Sequence, residues 1–168
     1  MGYFFQMRTK NEQKLHEFSG ELDRNYPTRP QLTEGVTRGV VHLLAGLGFS
    51  PLPEFKLLSS RRVDVAGLDA KGRFLFVEVK SSVADFRADG KWRDYLDYCD
   101  WFYFAVPPRF PLDILPVDVG VIAADAHDGA ILRPATEMML NGNRRRNQTL
   151  RFARSAADRV SRPLCLRF

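Results

Sequence analysis

Two acidic residues and a lysine fall on stretches of this chain that are otherwise typical of buried β-strands. Asp64 lies in the first stretch, and Glu78 and Lys80 lie in the second. The turn Asp69–Gly72 separates them, so a β-hairpin about this turn sets Asp64 opposite Val77 or Glu78, depending on one residue of register. Glu78 and Lys80, two residues apart, share one face of their strand. The spacing therefore predicts two carboxylates and an ammonium group in one place.

Two carboxylates at cross-strand distance repel each other unless a cation lies between them. A hard divalent cation such as Mg²⁺ is held by one or two carboxylates and keeps several of its waters. We therefore expect a metal site beside Lys80. The alternative is that Asp64 and Glu78 are structural charges paired with nearby basic residues, although burying such charges on central strands without a bound ion is costly.

The composition is that of an ordinary globular protein. The chain has 168 residues, of which 45% are hydrophobic and 12% aromatic, enough to bury the core of one α/β domain without disulfide or metal staples. The sequence lacks an apolar run long enough to span a bilayer and a secretory signal, so we expect no membrane partner and a cytoplasmic location. The two cysteines, Cys99 and Cys165, have no metal-ligand spacing and are expected to be reduced thiols.

The net charge of +5 fits a polyanionic partner. Arginines crowd the C-terminal quarter, at Arg144, Arg145, Arg146, Arg151, Arg154, Arg159, Arg162 and Arg167. This clustering suits a surface that contacts the DNA phosphate backbone, with Arg144, Arg145 and Arg146 as the candidate contacts. The alternative is a solvated helix face.

Hydrophobic spacing predicts the elements that position these residues. Residues 1–30 form a predicted N-terminal arm, and residues 31–168 a single domain that ends in an Arg-rich helix. In chain order we expect a helix (33–45), a three-strand meander (54–58, 63–68 and 74–80), a helix (83–99), a buried strand (101–107), a terminal strand pair (119–124 and 130–132) and the last helix (143–160).

This order of elements, with Asp64 on the second strand and Glu78 and Lys80 on the third, resembles the PD-(D/E)xK nuclease superfamily. Within that superfamily the chain looks most like the bacterial MmcB family of DNA-repair-associated proteins, over roughly residues 31–159. One departure is Val63, which stands where the motif often has proline. The resemblance implies an α/β fold with a restriction-endonuclease-like core (αβββαβ), in which helices flank a central mixed sheet.

The resemblance also implies a role for each motif residue. Asp64, Glu78 and Lys80 would be catalytic. Asp64 and Glu78 would hold one or two Mg²⁺ ions, which Mn²⁺ can replace, and the backbone carbonyl of Val79 would complete the shell. A glutamate of the first helix, Glu34, would reach the same metal.

Three of the implied residues, Glu34, Ser81 and Tyr95, have a second interpretation. The spacing of Glu34 to Arg38 is also that of a surface ion pair. Ser81 would donate a hydrogen bond to a phosphate, or belong to the cap of the next helix. Lys91 and Tyr95, four apart in the predicted helix, stand where nuclease-like relatives carry a Gln-x-x-x-Tyr pair and would contact a phosphate, but Tyr95 also suits the core.

The leading hypothesis is a Mg²⁺-dependent DNA endonuclease or exonuclease that hydrolyses phosphodiester bonds in DNA repair and associates with the nucleoid. The alternative is an accessory DNA-binding protein that keeps the nuclease fold with little or no cleavage of its own. A homodimer and a repair-protein partner are left open.

Overall fold

The computed structural model describes residues 28–165, and the side chains of residues 28–162. The elements in chain order are α1 (Arg29–Gly46), β1 (Ser50–Lys56), β2 (Arg62–Leu68), β3 (Phe74–Val79), α2 (Val83–Ala88), a 3₁₀ helix (Trp92–Tyr98), β4 (Trp101–Val106), a short 3₁₀ turn (Leu112–Ile114), β5 (Gly120–Ala124), β6 (Gly129–Arg133) and α3 (Gly142–Cys165). The predicted arm lies outside the described residues except for its last three positions.

The six strands form one mixed sheet in the order β1-β2-β3-β4-β5-β6. The first three strands are an antiparallel meander, as predicted. β4 runs parallel to β3, β5 runs parallel to β4, and β6 returns antiparallel. All six residues of β4 are buried, which confirms that its apolar run is a strand covered on both faces. This α/β arrangement is consistent with a restriction-endonuclease-like core.

The two faces of the sheet belong to two separate hydrophobic clusters. On one face, α1 packs through Val36 and Val40 against the odd-numbered residues of β3, such as Val77. On the other face, the 3₁₀ helix and α3 cover even-numbered residues such as Phe76, with Phe152 of α3 in the same cluster. Because side chains alternate along a strand, Glu78 shares the face of Phe76, the face covered by α3.

The first helix begins earlier than predicted, at Arg29 instead of residue 33. The side chain of Gln31 accepts a hydrogen bond from the backbone N–H of Thr28 at 2.8 Å, which satisfies a donor that a helix start leaves free. Pro30 fits the first turn, where an N–H would have no partner within the helix. The helix thus includes the last two residues of the predicted arm, Arg29 and Pro30.

The first strand also begins earlier than predicted. Residues 50–53, which were expected to be a connection broken by Pro51 and Pro53, belong to β1. β1 is an edge strand, and an edge strand tolerates proline where the missing N–H would face away from the sheet.

The predicted helix over residues 83–99 is wrong, because the segment is broken at Asp89–Lys91. α2 ends at Ala88, and the chain resumes as a 3₁₀ helix at Trp92. Trp92 stacks on Phe102 with ring centroids 5.6 Å apart, which anchors the second half in the core. None of the described helices is long and apolar enough to cross a membrane.

Candidate metal and active site

The hairpin of β2 and β3 brings the two predicted acids together. Val65 pairs with Val77, so the register continued by one residue sets Asp64 opposite Glu78. Beyond this point the backbone N–H of Val79 donates to Asp64 Oδ2 at 2.8 Å. The Asp64 carboxylate thus satisfies a backbone donor at the end of the hairpin.

Glu78 is buried, with 8% of its surface exposed. Its Oε2 is the one buried side-chain nitrogen or oxygen atom without a hydrogen-bond partner among the described residues. Burial, and then the charge of Asp64, raise the pKa of Glu78 to about 8. Burial also raises the pKa of Asp64. The raised pKa of Glu78 shows that this buried carboxyl group does not readily carry charge beside Asp64.

Lys80 lies beside Glu78 and is almost completely buried. Its Nζ is 3.3 Å from Glu78 Oε1 and 2.6 Å from Asp89 Oδ2, and 5% of its side chain is exposed. Burial alone would lower the pKa of Lys80, but the charges of Glu78 and Asp89 outweigh it and raise the pKa. Lys80 is therefore a protonated cation held between two carboxylates.

Asp89 and Glu54 belong to this site and were not predicted from the sequence. Asp89 directly follows α2 and precedes Gly90. The break in the helix at this point is the signal that could have identified Asp89 as part of the site. Glu54 lies opposite Asp64, since the flanking pairs are Pro53 with Val65 and Phe55 with Val63. Its φ of 53° is in the left-handed region, and its carboxylate forms an ion pair with Arg62. Glu54, Asp64 and Glu78 thus form a row across three adjacent strands.

The donor set fits one kind of metal ion better than another. The described residues contain no group of three or more His, Cys, Asp or Glu side chains that could hold a metal ion, so a closed structural zinc site is not indicated there. Two facing carboxylates, one with an unpartnered oxygen, fit Mg²⁺, which proteins bind through one or two carboxylates while waters and phosphates fill the remaining positions.

Tyr95 lies next to the acids but takes part in packing. Its hydroxyl donates to the carbonyl of Arg62 at 2.8 Å, and its ring stacks on Phe102. Burial, and then the charges of Glu78 and Asp64, raise its pKa. The structure therefore shows Tyr95 in the core position that the sequence left open.

The other predicted residues around the acids are not in contact with them. Glu34 is 3.1 Å from Arg38 with 72% of its side chain exposed, and α1 packs on the opposite face of the sheet from Glu78. Ser81 is buried, and its N–H and hydroxyl lie 3.3 and 3.4 Å from Asp85 Oδ2. Lys91 is exposed at the helix break, so the shared helical face predicted for it and Tyr95 is wrong.

The three consecutive arginines have three different environments. Arg145 donates to both oxygens of Asp100, at 2.6 and 2.8 Å, and to the carbonyl of Gly72. Arg144 lies over the ring of Tyr98, 4.9 Å from its centroid. Arg146 is exposed. Arg144 also forms an ion pair with Asp97 at 3.7 Å, so Arg144 and Arg145 both have partners within the protein, and Arg145 has the more buried one.

Comparison with known proteins agrees with this picture at the level of family and fold. The family model described as DNA repair protein MmcB-like matches residues 24–164. The chain is also similar to a solved structure, the SPO1766 protein of unknown function from Silicibacter pomeroyi. The sequence identity is 42% and the TM-score 0.76, over 78% of this chain and 90% of that chain. No curated protein matches the chain.

Proposed function

Because the chain belongs to the MmcB-like DNA repair protein family, we propose that it is a Mg²⁺-dependent nuclease that hydrolyses DNA phosphodiester bonds in repair. The observation that carries this proposal is the environment of Glu78. One of its oxygens is buried without a partner, opposite Asp64. A second carboxylate at that position is unfavourable unless a cation binds there.

Three groups would hold the ion: the carboxylates of Asp64 and Glu78 and the backbone carbonyl of Val79. Bound there, Mg²⁺, or Mn²⁺ in its place, supplies Lewis-acid stabilisation of charge on the phosphodiester and lowers the pKa of a bound water. Glu78 must lose its proton before it binds a metal ion, so metal affinity rises with pH. Lys80 provides a fixed positive charge beside these carboxylates, which favours charge that develops on a phosphate.

One observation favours a second candidate function. The ammonium group of Lys80 is bound by Glu78 and Asp89 and is hardly exposed, so a phosphate must displace Asp89 to reach it. A protein that does not make this exchange would keep the fold and bind DNA without cutting it. This is the accessory repair protein, with a separate enzyme as its partner.

The test is cleavage of labelled single-stranded, duplex, flap and junction DNAs in Mg²⁺, Mn²⁺ or EDTA. Wild type is compared with Asp64→Asn and Glu78→Gln, which keep side-chain size. We expect metal-dependent products that fall at least about 100-fold in either variant, the scale of losing one charge-stabilising group. Full cleavage by Glu78→Gln would contradict the proposal.

Glu34→Gln is the matched control, because it removes an exposed acid of the first helix that pairs with Arg38. We expect it to cut at the wild-type rate, whereas a large loss would place Glu34 in the metal shell. Absence of products from every DNA, together with salt-dependent DNA binding, would favour the accessory function.

A further inference from the structure

A groove of about 640 Å³ lies between α3, the end of the 3₁₀ helix and the turn that joins β1 to β2. The residues that line it include Leu58, Tyr98, Arg144, Leu150, Arg151 and Arg154. The set combines guanidinium groups with large apolar side chains.

The positive charge of the groove comes from one side of α3. Residues 144, 151 and 154 are separated by seven and three positions, so successive helical turns bring them to neighbouring positions on the helix surface. Arg151 and Arg154 form no ion pair within the part of the chain that the structure describes, in contrast to Arg145 with its Asp100. The one acid that lines the groove is Asp158. Arg144 forms an ion pair with Asp97 at 3.7 Å, so Arg151 and Arg154 are the groove cations without an ion pair among the described residues.

The apolar part of the groove is unusually exposed. Leu58 is 70% and Leu150 58% exposed, and both stand in the same groove as the ring of Tyr98. One exposed leucine needs no explanation, but an apolar group that is concentrated beside unpaired cations indicates a partner with both characters. A nucleic-acid single strand has this composition, because its phosphates and the faces of its bases are accessible together. In a duplex the faces of the bases are stacked inside the double helix, so they are not accessible to the two leucines.

The groove lies on the same face of the sheet as the acids. Its Leu58 belongs to the turn before β2, whose first residue, Arg62, is two positions from Asp64. Arg159, the residue of α3 that follows the groove residue Asp158, donates to the carbonyl of Glu54 at 3.0 Å, opposite Asp64.

We propose that this groove binds one strand of DNA in single-stranded form, with phosphates on Arg151 and Arg154 and bases against Tyr98, Leu58 and Leu150. This assignment rests on the proposed action on DNA and specifies the form of the substrate. It also moves the nucleic-acid contact along α3, from the triplet at residues 144–146 to residues 151 and 154.

The experiment measures fluorescence anisotropy of a labelled single strand, its duplex and the RNA strand of equal sequence. All titrations contain EDTA, so that no cleavage occurs, and are repeated over a range of salt. The proteins are wild type, the double variant Arg151→Gln/Arg154→Gln, and Arg146→Gln, which removes an exposed arginine of the same helix that does not line the groove. Circular dichroism verifies that each variant is folded.

We expect tighter binding of the single strand than of the duplex or the RNA. The double variant should lose at least about tenfold in affinity, and its salt slope should fall by about 1.4, roughly 0.7 for each phosphate contact. Arg146→Gln should change affinity less than about twofold. Leu58→Ser should weaken binding without changing the salt slope, because it removes an apolar contact and no charge.

Equal losses in Arg146→Gln and the double variant would overturn the proposal, since they would show diffuse attraction to the whole helix. Preference for the duplex would overturn the single-stranded form, and preference for RNA would overturn DNA as the ligand. Glu78→Gln should bind the strand as wild type does. If wild type binds the strand in EDTA but gives no products in Mg²⁺ or Mn²⁺, the groove stands while the nuclease proposal fails.

Discussion

The buried lysine and its two carboxylates show how far one residue of the site depends on another. Lys80 is charged in a place where water cannot solvate it, so its ion pairs replace its hydration. Asp89 is the nearer of its partners, at 2.6 Å, and Glu78 is at 3.3 Å. Asp89 therefore fixes the position of the ammonium group, although it lies in the segment that joins α2 to the 3₁₀ helix.

Replacing Asp89 by asparagine should destabilise the protein by about 2 kcal/mol, because Lys80 stays buried and loses the nearer of its two carboxyl partners. Urea unfolding of the variant measures this. Asp94→Asn is the matched control, since Asp94 lies in the neighbouring 3₁₀ helix and also pairs with a basic residue at 2.6 Å, but with half of its side chain exposed. It should cost less than about 1 kcal/mol. Equal losses in the two variants would show that burial of Lys80 does not matter.

At this scale the sequence predicted the pair but not its surroundings. Asp64 and Glu78 were predicted to meet because alternation along strands and a four-residue turn leave only two registers. Asp89 was not, because its role depends on the tertiary burial of Lys80, which no local pattern contains. The sequence also does not distinguish Arg145 from Arg146. The packing of α3 decides that Arg145 contacts Asp100 and that Arg146 is exposed.

At the scale of elements, the ion pair of Arg145 with Asp100 connects α3 to the sheet, in addition to the packing of Phe152 in the core. Asp100, just before β4, accepts from Arg145 and also from the backbone N–H of Phe74 at 2.7 Å. Its side chain is 3% exposed. Burial alone would raise its pKa, but the hydrogen bonds from Arg145, Phe74 and Leu140 outweigh it and hold the pKa below the usual value. A single carboxylate thus joins the starts of β3 and β4 to α3.

Arg145→Ala should therefore destabilise the protein by about 3 kcal/mol, because it leaves the Asp100 charge buried without its cation. Arg146→Ala, one residue further along α3, should stay within about 0.5 kcal/mol of wild type, as most exposed substitutions do. Thermal and urea unfolding compare the two. If both variants unfold like wild type, the pair with Asp100 does not hold α3 in place.

Two elements differ from their prediction for identifiable physical reasons. The long crossover helix breaks around Gly90, which is a weak helix former, and Trp92 begins the 3₁₀ helix with its ring stacked on Phe102 in the core. β1 extends through two prolines because it is at the edge of the sheet. Whether a strand lies at the edge of a sheet depends on the tertiary structure. Without that information, the two prolines predicted an interruption of the strand.

At the scale of the whole molecule, the acidic row makes stability depend on pH. In the absence of metal, the pKa of Glu78 is raised from 4.5 to about 8. Between these values the folded protein keeps a proton that the unfolded chain has released, so the free energy of unfolding decreases as pH rises through this window. We expect the urea midpoint in EDTA to fall between about pH 5 and about pH 8.

Glu78→Gln should flatten this pH dependence, because glutamine does not titrate. Mg²⁺ added at about pH 8 should raise the midpoint of wild type and leave that of Glu78→Gln unchanged, since a ligand of the folded state stabilises it. These measurements do not require cleavage. A variant as pH-dependent as wild type would show that Glu78 does not carry the raised pKa.

The whole architecture could be predicted better than its boundaries. Neighbouring strands in the sequence are neighbours in this sheet throughout, which is the commonest arrangement and needs no long-range information. The burial of β4 followed from its unbroken apolar run. Element ends depend on caps, breaks and edges, which the packing of other elements decides.

The two prolines of β1 also affect what the sheet can join. Pro51 and Pro53 are two residues apart, so their nitrogens point the same way, and their pairing with β2 leaves that direction as the open side of the strand. An incoming strand would find no N–H donors at these two positions. Growth of the sheet by addition of a foreign strand or a second copy is blocked at this edge, which protects the protein from edge-to-edge aggregation there.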